Sequence, residues 1–146
     1  MEKIDRSTAE QVWQRVRGEQ PQTLQESSLI AMEAEIAAQL QLLTRHFPGN
    51  AQLLRAMLQA TRQNIACLQG LQLLRRGSKA PIPALKPQNR DLLALIRKCY
   101  VNCLNLAGKY EAAAGDAEYG IVFAEMAQTK RHHCAQLLSL LGHRKS

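Results

Sequence analysis

Residues 76–88 contain Gly77, Pro81, Pro83 and Pro87, a density of breakers that no continuous helix or central strand survives, and they cut the chain into two halves. Each half reads as a pair of helices with a break between them. In the first, an apolar stripe of Leu29, Ile36, Leu40, Leu43 and Phe47 runs from about Leu24 to His46 at helical spacing, with Glu33 inside it, and stops at Pro48-Gly49. A second stripe, started by Asn50, carries Leu54, Met57, Leu68 and Leu71, with Thr61 and Asn64 on the same line. Beyond the connector, a helix starting near Asn89 shows Leu92, Ile96, Cys99, Cys103, Leu106 and Tyr110, with Asn102 beside the line. The last helix, capped by Asp116, shows Tyr119, Phe123, Met126, Leu137 and Leu140, with Lys130 and His133 in the stripe, and Gly142 is expected to end it.

The halves correspond to one another. Shifting the first by 69 residues lays Thr61 on Lys130, Asn64 on His133, Leu68 on Leu137 and Leu71 on Leu140, and Glu33 on Asn102, next to Cys103. Two equivalent hairpins joined by one longer connection make a pseudo-twofold four-helix bundle. The composition agrees, since 46% hydrophobic residues of which few are aromatic, dominated by Leu and Ala, suit helices packed on helices rather than sheets. Ser7-Thr8-Ala9-Glu10 and Thr23-Leu24-Gln25-Glu26 each have the form of a capping box. The first predicts a short helix with Val12, Trp13 and Val16 that packs outside the bundle, Trp13 serving as an apolar anchor. The expected division is an amino-terminal arm over 1–22, an all-α bundle over 23–142 and a basic tail over 143–146.

A formal net charge of +7 raises the question of nucleic acid, because Lys and Arg supply most phosphate affinity. The basic residues are spread out, however, and the one concentration, Arg75, Arg76, Lys79, Lys86 and Arg90, falls in the Pro-rich connector without aromatic platforms, so a solvated loop is expected and no nucleic-acid partner. No apolar run reaches the ~20 residues of a membrane span, and Met1-Glu2-Lys3-Ile4-Asp5-Arg6 lacks the apolar stretch of a secretory signal. The expected setting is the cytoplasm, where Cys67, Cys99, Cys103 and Cys134 stay reduced and pack as small hydrophobes. Cys99 and Cys103, one turn apart, could alternatively join His133 or Cys134 around zinc.

The segments Leu29-Ile30-Ala31-Met32-Glu33, Thr61-Arg62-Gln63-Asn64-Ile65-Ala66-Cys67-Leu68 and Phe123-Ala124-Glu125-Met126-Ala127-Gln128-Thr129-Lys130-Arg131-His132-His133 resemble the helices of the ferritin-like superfamily, in particular its rubrerythrin-like branch, over residues 24 to 142. The resemblance implies a ferritin-like four-helix bundle with a single crossover, in which a two-metal site takes one Glu from each of two helices and a Glu-x-x-His pair from each of the others. Here Glu33 matches the first carboxylate. Thr61 and Asn64 stand where a Glu and a His belong, Asn102 or Cys103 where a Glu belongs, and Lys130 with His133 where the last Glu and His belong. Two irons need several carboxylates to offset their charge, and an ammonium at Lys130 repels them.

No di-iron centre, catalytic residue or bound cofactor is therefore expected. Lys130 either pairs with Glu33 in the vacated position or extends its ammonium to solvent. The reading that follows is a non-catalytic binding or assembly module. The alternative is a metal-binding protein holding one iron, manganese or zinc through Glu33, His133 and Cys103, with a role in oxidative stress or metal handling by analogy. The family resemblance also implies a homodimer. No Cys-x-x-Cys pair is present, so the rubredoxin-like module that such proteins often carry is not expected.

Overall fold

The computed structural model of the chain describes the backbone of residues 21–79, 81–86 and 91–145 and the side chains of 26–79, 81–86 and 91–142. Within them every regular element is helical: α1 (Pro21–His46), a 3₁₀ turn (Pro48–Asn50), α2 (Ala51–Arg76), α3 (Leu92–Ala113) and α4 (Gly120–Lys145). The arm with Trp13, the start at Asn89, and Arg90 lie outside the described residues.

Local chemistry places most of the ends. Pro48 and Gly49 stop α1 as expected, with Phe47 N–H closing on the Leu43 carbonyl at 3.0 Å. At the far end of α2, Gly77 adopts the left-handed conformation (φ 79°) and donates to the Leu73 carbonyl, a cap that a residue with a Cβ fills poorly. α3 begins one residue after Asp91, whose carboxylate accepts from the Leu93 N–H at 3.0 Å. Asp116 receives the N–H groups of Glu118 and Tyr119 at 2.8 and 2.9 Å, so it organises the turn from which α4 emerges four residues later.

Several boundaries differ from the sequence reading. α1 begins at Pro21 rather than after the Thr23 box, so residues 21–22 belong to it and not to an arm, and α4 begins at Gly120, leaving Asp116 and Tyr119 in the turn before it. α4 does not stop at Gly142 but continues to Lys145, so residues 143–145 are helix rather than tail; a helical glycine costs only about 1 kcal/mol, which the preceding packed turns can carry. Arg75 and Arg76 belong to the last turn of α2 rather than to a solvated connector. Arg75 contacts Glu26 (3.0 Å) and Asp116 (2.6 Å), Arg76 contacts Glu26 (3.0 Å), and the Arg75 guanidinium also lies over the Tyr119 ring. These contacts tie the start of α1 to the end of α2 and the entrance of α4.

The helix directions follow from pairwise contacts. Glu33 meets Tyr110 while Gln39 meets Asn102, so α1 and α3 are antiparallel; Thr61 meets Lys130 while Arg75 meets Asp116, so α2 and α4 are antiparallel too. With a tight turn between α1 and α2, this leaves α2 and α3 pointing the same way. The 77–91 connector must therefore travel back along the bundle. α2 is about 39 Å long, and a segment of this length spans about 50 Å when extended. Its middle, Ile82, Pro83 and Leu85, borders a groove lined by Ala34, Ala37 and Ala66, where small side chains leave room for a crossing strand of chain.

The expected stripes form the core: Leu29, Ile36, Leu40, Leu43, Leu54, Met57, Leu68, Leu71, Ile96, Leu106, Phe123, Met126, Leu137 and Leu140 are all buried. Among the described residues no helix is long and apolar enough to cross a membrane.

Candidate functional site

At mid-height the bundle core turns polar. Glu33, Thr61, Lys130 and Tyr110 have no solvent exposure, and His133 retains 4%. An isolated charge in such surroundings costs many kcal/mol, so each must find its partner within the protein. The partner of Glu33 is Lys130, whose ammonium sits 2.6 Å from Oε1. The same ammonium donates to Thr61 Oγ1 at 3.2 Å. Oε1 takes no well-directed hydrogen bond besides this, so the ammonium is its whole compensation. The second oxygen, Oε2, accepts from Tyr110 OH at 2.5 Å and from Asn64 Nδ2 at 2.9 Å. The helices thus contribute Glu33 from α1, Thr61 and Asn64 from α2, Tyr110 from α3 and Lys130 from α4.

Thr61 and Lys130 are the residues that a 69-residue shift superposes, and they touch each other where the two hairpins meet. A lysine is long enough to reach from one half into the other, and a threonine opposite it is short enough to leave the space. The product is a pocket of balanced charge, one carboxylate and one ammonium.

Tyr110 was legible only as a member of the α3 stripe. Its ring stacks with Phe123 (centroids 6.2 Å apart), which aims the hydroxyl at Glu33. Burial, and then the adjacent Glu33 carboxylate, push its phenol well above the ordinary range, so it stays a donor. Tyr110→Phe removes one of two neutral donors to a buried carboxylate, and chemical denaturation should register a loss of about 1–3 kcal/mol with the helix content unchanged.

The two helix-three candidates differ in burial. Cys103 is fully buried, whereas Asn102 is half-buried and donates to Gln39 Oε1 at 3.2 Å, away from the Glu33 cluster. The neighbouring Cys99 lowers the Cys103 thiol and the Lys130 charge adds to the lowering, while Cys103 and then burial lift the Cys99 thiol. Cys134, raised to about 11 mainly by burial, lies 3.9 Å from the Tyr100 carbonyl. All four cysteines are free thiols.

The metal hypotheses fare differently in geometry. Among the described residues no three His, Cys, Asp or Glu side chains converge as a cation site would need. Glu33, one of the three ligands in the mononuclear alternative, is engaged by Lys130, Tyr110 and Asn64 instead of by Cys103 or His133.

His133 occupies the position equivalent to Asn64 but does not reach the carboxylate, and its buried Nδ1 has no hydrogen-bond partner. Burial first, then the Lys130 and His132 charges, push its imidazole down to about 3, so it is neutral in the folded protein. The unfolded imidazole takes up its proton near 6.5, so between 6.5 and about 3 the unfolded state holds more protons than the folded one. Stability present above 6.5 is therefore lost as the pH falls through that window. Denaturant titrations should show about 2 kcal/mol lost between pH 6.5 and 5, and His133→Asn should remove most of that slope.

Comparison of the chain with family profiles, with curated proteins and with solved structures finds no match.

Proposed function

We propose that the chain is a ferritin-like bundle of the rubrerythrin-like kind whose two-metal pocket has become a metal-free polar core, and that it works as a non-catalytic binding or assembly module. The observation that carries this reading is the Lys130 ammonium 2.6 Å from Glu33, both without exposure. An ammonium there supplies the positive charge that a metal would otherwise bring to the carboxylate. The single long connection between parallel helices α2 and α3, and the meeting of the shift-related pair Thr61 and Lys130, support the ferritin-like part of the reading. So does the content of the pocket, since four of the positions where that resemblance places ligands, Glu33, Thr61, Asn64 and Lys130, are the ones that contact each other.

Binding then rests on the outer surface rather than on the centre, and self-association follows from the same resemblance. The test is metal analysis of untagged protein purified from cells supplied with iron, manganese and zinc, together with iron(II) oxidation in air. Only trace metal and no acceleration over the protein-free rate are expected. Stoichiometric iron, manganese or zinc, retained through desalting, would overturn the reading and return the single-metal alternative.

A further inference from the structure

The outer face of the α3–α4 hairpin carries apolar and small side chains where a solvated helix face would be charged. On α3, Arg97, Val101, Leu104, Gly108 and Glu111 follow one another at steps of four and three residues, so they lie on one line along the helix. All five are exposed, Val101 at 47% and Leu104 at 38%. On α4, Ala124, Arg131 and Leu138 recur every seven residues and are exposed as well, Leu138 at 49%. The two lines border one another, because Arg131 donates to both oxygens of Glu111 at 2.6 and 2.7 Å. Gly108 is unexplained inside the chain. A glycine in an exposed helix is unfavourable, and a Cβ at this one would meet nothing within 4 Å.

We propose that this face binds a second copy of the chain, with α3 antiparallel to α3 of that copy and a twofold axis beside Leu104. A twofold contact needs a surface that complements itself when reversed, and the α3 line does so about Leu104. Arg97 lies seven residues before Leu104 and Glu111 seven after it, so the arginine of each copy falls level with the glutamate of the other. Val101, three before, falls against Gly108, four after, so a side chain meets a gap on both sides of the centre. Leu104 packs on Leu104 of the second copy.

Charge and size agree with this pairing. Arg97 makes no ion pair among the described residues. Glu111 keeps 48% of its side chain exposed, and a carboxylate has lone pairs to spare beyond the two bonds from Arg131. On α4 the level of the axis follows from the contacts between the helices, since Cys134 reaches the Tyr100 carbonyl and Phe123 stacks on Tyr110. Leu104 is therefore level with Lys130, and the same axis brings Leu138 close to Ala124 of the second copy, again a large residue against a small one. Two helices wide and about 33 Å long, the face offers about 600 Å² per copy, which clears the ~1,000 Å² total of a specific interface.

This inference deepens the assembly reading and rests on it, and its test tells the two apart. The full chain is followed by light scattering after gel filtration over a range of concentrations reaching the high micromolar. A dimer at twice the chain's 16.3 kDa is expected. Leu104→Glu and Gly108→Leu, each at a position open to solvent in the single chain, should give monomers of unchanged helix content. Arg97→Glu sets like charges against one another at both ends of the line, and so does Glu111→Lys. Each alone should dimerise at least about tenfold more weakly than wild type. Mixed in equal amounts, the two variants should form mixed dimers in native mass spectrometry, because each changed position then meets its opposite charge. A wild-type chain of 16.3 kDa at every concentration, leaving the face to another part of the chain or to a different protein, would overturn the inference. A dimer that Leu104→Glu and Gly108→Leu leave intact, or charge variants that show no preference for each other, would overturn this face while assembly itself stands. Stoichiometric metal in a dimer that these variants disrupt would instead remove the metal-free reading and keep the interface.

Discussion

Lys130→Met should destabilise the protein by about 3–5 kcal/mol, read by chemical denaturation near neutral pH. The methionine nearly matches the lysine stem in shape, so the packing term is small and the loss is almost entirely electrostatic. What remains is a fully buried Glu33 with Tyr110 and Asn64 on one oxygen and no compensation on the other. A variant within about 1 kcal/mol of wild type would mean that the ammonium contributes as little as an exposed one.

Refilling the expected ligand positions should turn the bundle into a metal protein. T61E, N64H, C103E and K130E together, with Glu33 and His133 retained, would place the full set of carboxylates and imidazoles around the present site of the ion pair. The folded variant should retain about two divalent ions per chain after desalting, where the wild type retains traces. The choice of Cys103 over Asn102 comes from burial, since Cys103 faces the core and Asn102 faces Gln39. A folded but metal-free variant would show that the helices do not bring these positions into metal-binding register, and with it the ferritin-like reading would fall.

The fold was readable because its signals are strong and local. Pro48-Gly49 and the 77–87 breakers cannot sit inside helices, and the apolar stripes between them have one period throughout. The candidate site was readable in part, because Glu33, Thr61, Asn64 and Lys130 were polar side chains standing in apolar stripes, and polar groups in a core must meet each other. Two features were hidden for physical reasons. Tyr110 looks apolar in a stripe, and only its hydroxyl, which a core must satisfy, hinted at a contact with Glu33. Arg75 and Arg76 sit beside a glycine and a proline-rich run, so they read as solvated; Glu26 and Asp116, which hold them, lie about 40 to 50 residues away in sequence, beyond any local pattern.

Gly142 misled for the opposite reason. A glycine near a helix end often marks its stop, yet at this one the backbone keeps a negative φ and the helix runs on. Asn102 and Cys103 show the limit of periodicity itself. Adjacent residues on a helix differ by about 100° in direction, so a stripe drawn along one line cannot choose between neighbours on either side of it.

The central claim is that a positive side chain, held by the protein itself, answers the charge of Glu33 at the middle of the bundle. A double-mutant cycle of Glu33→Gln and Lys130→Met measures that directly. The two single variants should each lose several kcal/mol, and the double variant should recover so much of it that the coupling exceeds about 2 kcal/mol. Effects that simply add, with a coupling near zero, would contradict it.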